Sequence, residues 1–349
     1  SAYLDNYQNQ IILLSSTGIL GSSKYDKKQL KFKQIKNNIE EFINEKQFKK
    51  SPKFSIKDLF ISDKEIFLSF TNEVRENCWN TSIISAEFNF KEVKFEPFFM
   101  PDECVNSLNN KDKVFEALQS GGRITELDKN KIIFTTGEFR SRSRAQDKES
   151  VMGKILKINK DTKEFEVLAM GIRNAQGLYY DRTNKYILTT EHGPKGGDEI
   201  NLISGKNPNI IVNLGWPISS YGEHYLKEKE RLTGWSFEKN NPYLKYPLYK
   251  SHEKYGFLEP IKFYTPSIGM SQIQSIDEKN KIYIHASLVD QSLYLFKLSE
   301  NNEIINNLRF NINERIRDIH KLDNKLFLFL ETSSSIGIID LDMSYEYLN

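Results

Sequence analysis

The chain has 349 residues, with 49 lysines and arginines against 47 aspartates and glutamates, a formal net charge of +2. No block of five or six basic residues occurs, which argues against nucleic acid or an anionic membrane as a partner. Hydrophobic residues make up 38% of the chain and can supply a core, but no apolar run approaches the roughly 18 residues of a membrane span.

The predicted elements follow one recurring pattern: an apolar pair, a short polar turn rich in Asp, Asn and Lys, then a strand of apolar residues. A partial copy, NQIILLSSTG, starts at Asn9, and five fuller copies start at Ile56, Arg123, Gln176, Ser271 and Arg317. Between them lie further strand-like runs, SIISAEFNF, KILKIN, QSLYLFKL and SIGIIDLD. Each unit then approximates a four-stranded antiparallel sheet. Six such units predict an all-β, six-bladed β-propeller spanning 1–349 as one domain, in preference to a β-sandwich or two stacked β domains. The long gap between the copies at Gln176 and Ser271 predicts a loop excursion at about 204–262, dense in Gly, Pro, Asn and Tyr. Its aromatics Tyr221, Tyr225, Trp235, Tyr243 and Tyr246 offer a surface for a protein partner. KQIKNNIEEFINEKQF, from Lys33, reads either as a short amphipathic helix or as the outer strand and loop of the first blade.

Cys78 and Cys104 stand beside turn-like residues and either form one disulfide or are two separate buried thiols. The opening residues SAYLDNYQNQ contain no charged segment followed by an apolar stretch, so no export signal is visible.

Several segments carry groups suited to chemistry. In GIRNAQGL, Arg173 and Asn174 offer a fork of donors for a planar anion with carboxylates, or cap loop carbonyls. EHGPKGGDEIN combines a Gly-Pro turn with Asp198 and Glu199, hard oxygen donors of the kind Ca²⁺ prefers, or simply a solvated acidic turn. Gly215-Trp216-Pro217 reads as a rigid corner that buries the indole. QSGGRI places two glycines before Arg123, where the backbone can approach a ligand closely or Arg123 can serve as an internal salt-bridge partner. GEFRSRSRAQD spaces Arg140, Arg142 and Arg144 along one face of an extended segment. Arg315 and Arg317, two apart, point into a common space and call for an anion or nearby carboxylates. All five histidines lie in the second half. No Gly-x-Ser-x-Gly elbow, P-loop, HExxH or dinucleotide fingerprint occurs, which leaves hydrolase, NTPase, zincin and Rossmann readings without support.

GIRNAQGL, EHGPKGGDEINLI and LGWP, in that order, resemble the soluble quinoprotein glucose and sorbosone dehydrogenases, which are PQQ-dependent aldose dehydrogenases; QSGGRI, MGKILKIN and NERIRDI extend the likeness. The resemblance implies a six-bladed propeller with PQQ across its central opening and a sugar oxidised at C1. It places Arg173, Asn174, Arg315 and Arg317 at cofactor-contacting positions. It places the carbonyls of Gly193 and Pro194 at a calcium that polarises the quinone, and Glu199 at a second, structural calcium. Glu138 stands where the family has an Asp that orients its catalytic histidine. The histidine itself falls at Leu118 or Gln119, and a quinone-contacting lysine falls at Val289. Glutamine cannot act as a general base near neutral pH, so Glu138 or water is the candidate proton acceptor. The alternative is a catalytically inactive propeller that binds a sugar, a small anion or a protein. The family's members are mostly exported, which implies a periplasmic or extracellular protein.

Overall fold

A computed structural model describes residues 1–26, 29–110, 112, 114–204, 210–225 and 245–341. Six mainly antiparallel sheets follow one another along the chain as the blades of a propeller. Their innermost strands are Ala2–Tyr7, Ile56–Ser62, Gly121–Asp128, Ala175–Asp181, Met270–Asp277 and Ile316–Leu322, blades 1 to 6 in order. The predicted hairpins are present: Gly121–Asp128 returns as Lys131–Thr136, and Ala175–Asp181 as Tyr186–Glu191. Blades 4 and 5 have four strands, whereas blades 1 to 3 carry additional short strands and blade 6 has three among the described residues. Among these residues no helix is long and apolar enough to cross a membrane.

Why the second strand of each hairpin is apolar at nearly every position follows from the packing. Successive side chains of a strand point to opposite faces, and in a propeller both faces of a blade meet a neighbouring blade. In blade 6, Leu326 and Leu328 face blade 5 while Phe327 and Phe329 face blade 1. Ile132 and Ile133 likewise divide between blades 2 and 4, and Tyr283 and Ile284 between blades 4 and 6. One hydrophobic cluster therefore fills each blade junction.

Polar bonds close the same junctions near the axis. The Asp5 carboxylate accepts from Ile61 N at 2.6 Å, joining blade 1 to blade 2, and Asp58 accepts from Ile124 N at 2.7 Å, joining blade 2 to blade 3. Arg123 Nε donates to the Gln176 carbonyl at 2.7 Å, joining blade 3 to blade 4. Gln272 and Gln274 of blade 5 accept from Leu178 N at 2.9 Å and from Lys321 N at 2.6 Å, in blades 4 and 6. Asp318 accepts from Leu4 N at 2.7 Å and so ties the last blade to the first.

Arg123 crosses the axis. Its Nη1 lies 2.9 Å from Asp58 Oδ1 and 2.8 Å from Asp318 Oδ1, Nη2 donates to the Arg317 carbonyl at 3.2 Å, and the guanidinium lies over the Tyr3 ring. The salt-bridge reading of Arg123 is the one this geometry supports. Burial pushes the carboxyls of Asp58 and Asp318 upward, and Arg123 pulls both back down.

The segment from Lys33 contains both predicted alternatives. Lys33–Asn37 pairs with the third strand of blade 1, a single 3-10 turn covers Ile39–Glu41, and a short α-helix runs from Glu45 to Lys50. Asn38 exchanges two hydrogen bonds with the Phe95 backbone, and Asn44 caps the helix through Lys46 N; these contacts divide what periodicity joins into one helix. Cys78 and Cys104 form a disulfide.

The excursion folds back onto the propeller. Val212–Asn213 pairs in parallel with the outer strand of blade 3, and single bridges join Lys195 to Glu223 and Ser219 to Tyr249. Trp216 is buried and packs with Ala145 and Leu248. Of the proposed surface aromatics, Tyr246 is buried, Tyr221 stacks on Phe263 at 3.8 Å, and Tyr225 is exposed. Trp235 and Tyr243 lie outside the described residues.

Replacing Arg123 with Leu leaves Asp58 and Asp318 buried without a counter-ion. The expected loss is about 3–5 kcal/mol, read from urea denaturation, against a change within about 0.5 kcal/mol for the exposed control Arg182→Gln.

Candidate functional site

At one end of the axis the blades leave a cavity of about 480 Å³. Segments distant in sequence meet there: Tyr3, Lys57, Gln119, Arg173, Gly269 and Arg317 line it, one from each blade or the segment adjoining it. The lining includes five cationic side chains, from Lys53, Arg140, Arg173, Arg315 and Arg317, and the amine of Lys57, against two carboxylates, Glu116 and Asp198. A low-dielectric wall makes such an excess attractive to an anion.

Arg173 is held on all sides. Its backbone N–H donates to Glu191 Oε1, Nη1 donates to the His192 carbonyl at 2.7 Å, and the guanidinium lies over the rings of Trp216 and Tyr225. The Asn174 side-chain oxygen accepts from Gly121 N at 3.1 Å and Gln176 Nε2 at 2.9 Å, which leaves its amide nitrogen as the remaining donor. Both residues line the cavity, as do Arg315 and Arg317 from the far side of the ring.

The anticipated carboxylate beside Arg315 and Arg317 is Glu331. Arg315 Nε reaches Glu331 Oε2 at 3.3 Å, and Arg317 Nε reaches Oε1 at 3.1 Å. Ser1 Oγ also donates to Glu331. Burial works against this carboxylate, but Arg317 with the hydroxyl and Arg315 holds it down at about 2. Because Glu331 comes after the end of the next strand, Lys325–Leu330, spacing alone gives no sign of the pairing.

Gln119 occupies the junction between this cationic wall and a buried acid. In the amide orientation that satisfies both neighbours, its nitrogen donates to Glu138 Oε1 at 2.5 Å, and its oxygen accepts from Arg173 Nη2 at 2.7 Å and Arg140 Nε at 3.2 Å. Glu138 is fully buried and lies behind Gln119, away from the cavity lining. Burial raises its carboxyl to about 7, against the opposing pull of Arg142 and Arg173. Leu118 is half exposed on the cavity rim, and Val289 is exposed on the opposite rim.

The Gly-Pro turn is organised by Asp198. One carboxylate oxygen accepts from Gly193 N at 3.1 Å, and the other from Ile268 N at 3.0 Å and Gly269 N at 2.7 Å. Gly193 reaches the cavity, and the Pro194 carbonyl accepts from Ser267 Oγ at 3.3 Å. Glu199 faces a separate small void that it shares with Glu191 and Trp216. There it pairs with Glu191 across the hairpin and lies 3.4 Å from His252 Nε2. Burial and the neighbouring Glu199 raise Glu191 to about 8. Among the described residues no three His, Cys, Asp or Glu side chains group to hold a metal ion.

The cationic ladder expected from GEFRSRSRAQD is corrected by the structure. Arg142–Gln146 forms a 3-10 helix, and the three arginines diverge. Arg140 turns to the cavity, Arg142 lies over Tyr246, and Arg144 pairs with Glu103. Two cavity residues that the sequence does not single out are Lys57 and His192. A lysine beside Asp58 in the inner strand Ile56–Ser62 is the signal for the first.

Comparison with known proteins shows the family and the fold. Residues 54–339 match the family described as glucose / sorbosone dehydrogenase. The chain belongs to that family. A member of Escherichia coli strain K12, aldose sugar dehydrogenase YliI, is 33% identical over 118 residues, 30% of each chain. An uncharacterized protein of Synechocystis sp., strain ATCC 27184 / PCC 6803 / Kazusa, is 28% identical over 230 residues, covering 58% of this chain and 50% of that protein. The chain thus spans half or less of the curated relatives it matches. In fold it is similar to the PQQ-bound aldose sugar dehydrogenase of Streptomyces coelicolor, with a TM-score of 0.68 and 18% identity over 97% of this chain and 92% of the other.

Glu331 is depressed in the folded state, so its contribution is present above its unfolded value near 4.5 and is lost as the pH falls toward 2. Glu331→Gln is expected to cost about 2 kcal/mol at pH 7. Thermal unfolding across pH 2.5–7 should show the variant and the parent converging at the acid end.

Proposed function

We propose that this chain is a quinoprotein-type sugar dehydrogenase that holds PQQ and calcium in the central cavity and oxidises an aldose at C1. The observation that carries this reading is the convergence of Arg173, Asn174, Arg315 and Arg317 on one cavity. Guanidinium forks suit planar carboxylates, and a planar quinone with several carboxylates suits a cavity whose cations outnumber its acids. Gly193 and Pro194 supply backbone oxygens, the hard donors that calcium takes. When bound, a quinone of this class supplies a two-electron oxidant.

The chain's own residues then position and desolvate. Arg173, locked by Glu191 and the His192 carbonyl, presents a guanidinium whose orientation does not have to be acquired on binding. Arg315 and Arg317 are held together by Glu331, which offsets their mutual repulsion before an anion arrives. Gln119 can orient a hydroxyl but cannot take its proton. Glu138 holds Gln119 in place from behind.

The absence of an imidazole at Gln119 favours a second reading, a propeller that binds sugar or anion without turnover. Both readings use the same cavity, and binding and turnover separate them. The Cys78–Cys104 disulfide supports placing the protein in an oxidising compartment, periplasmic or extracellular.

Calorimetric titration of the apoprotein with PQQ and Ca²⁺ is expected to give micromolar or tighter binding, weakened at least tenfold in Arg317→Gln. Dye-linked assays on an aldose panel should show turnover that increases in Gln119→His. Failure to bind PQQ sinks the quinone reading; binding without turnover in either protein leaves the binding-module reading.

A further inference from the structure

We infer that Lys57 is the general base of the central cavity, taking the proton that an imidazole at position 119 would otherwise accept. The inference rests on the quinone-dehydrogenase reading above and identifies the proton acceptor that this reading lacks.

Lys57 lies in the inner strand of blade 2, and it is buried yet lines the cavity. Its stem fits only because the neighbouring strand has a glycine: a Cβ on Gly122 would stand 2.3 Å from Lys57 Cβ. The amine is aimed by two neutral acceptors, the Lys53 carbonyl at 2.8 Å and Ser55 Oγ at 3.4 Å. Among the described residues no carboxylate pairs with it, in contrast to Arg123, Arg315 and Arg317.

Lys57 and Gln119 line the same cavity. Lys53 Nζ lies 3.0 Å from Glu116 Oε1, that oxygen accepts from Leu118 N at 3.2 Å, and the Glu116 carbonyl accepts from Gln119 N at 3.0 Å. Lys57 of blade 2 and Gln119, which leads into blade 3, thus border one cavity.

An amine can act as a base only where its neutral form is populated. Burial lowers Lys57 to about 7, with Arg317 and Lys53 adding repulsion and Glu116 opposing. Burial is a recognised means of preparing a lysine for proton transfer at neutral pH. In the reaction, the C1–H and O–H bonds of the cyclic aldose break and a C1=O bond forms. The hydride passes to the quinone oxidant, reducing it by two electrons, and the hydroxyl proton passes to Lys57 Nζ, which later releases it to water. The product is the lactone.

The test has three arms. In the apoprotein, competitive trace acetylation read by mass spectrometry should show Lys57 reacting with a midpoint near pH 7. A midpoint above 9 for Lys57 overturns the proposal. In the PQQ- and Ca²⁺-loaded protein, Lys57→Met should lower kcat about 10²–10⁴-fold with PQQ affinity within threefold, and should abolish the rise in rate through Lys57's ionisation. Unchanged kcat, or loss of PQQ binding in the variant, overturns it. Finally, Lys57→Met combined with Gln119→His should regain turnover, with the rate now following a histidine ionisation; failure to regain it shows structural damage and counts against the assignment. If the parent chain binds no PQQ, the quinone reading itself fails, whatever Lys57 does.

Discussion

Arg123 holds the axis of this propeller, and much of the rest depends on it. One guanidinium, buried with two carboxylates, reaches blades 2, 4 and 6 and covers an aromatic ring of blade 1. A buried ion pair contributes little net stability compared with a well-packed apolar substitute, but removing one partner is costly. Its role here is geometric. The ring of blades must close on itself, and among the described residues the first and last sheets meet through Asp318, Leu4 and packed side chains.

That axial bond network also forms the floor of the cavity. The Arg317 backbone accepts from Arg123 while its side chain reaches the cavity and Glu331. Gly122, next to Arg123, makes the space that Lys57 occupies. The QSGGRI segment thus serves packing and chemistry together. Gly122 allows close approach of blade 2, Arg123 closes the axis, and Gln119 lines the cavity.

The cavity combines a retained anion cradle with an altered proton path. Arginines cannot lose their charge at physiological pH, so the cradle persists whatever occupies position 119. A carboxyl near 7 at Glu138 lies behind Gln119, and an amine near 7 at Lys57 belongs to the same cavity lining as Gln119. Proton handling in such a site is a property of the group rather than of a single side chain.

The sequence by itself determined the repeating hairpins, their number, and hence the propeller, because apolar runs bounded by Asp-Asn-Lys turns are read locally. Its motifs also named Arg173, Asn174, Arg315 and Arg317, since these stand in short contiguous segments. What remained hidden involves residues far apart in the chain: Glu331 between the two arginines, Asp58 and Asp318 around Arg123, and Lys57 in one cavity with Gln119. The acids and the lysine in the inner strands break the apolar pattern, yet a strand does not reveal what lies across the axis. Only closure of the ring decided those partners, because it brings the first strand of every blade to one point and makes each buried charge answer to the others.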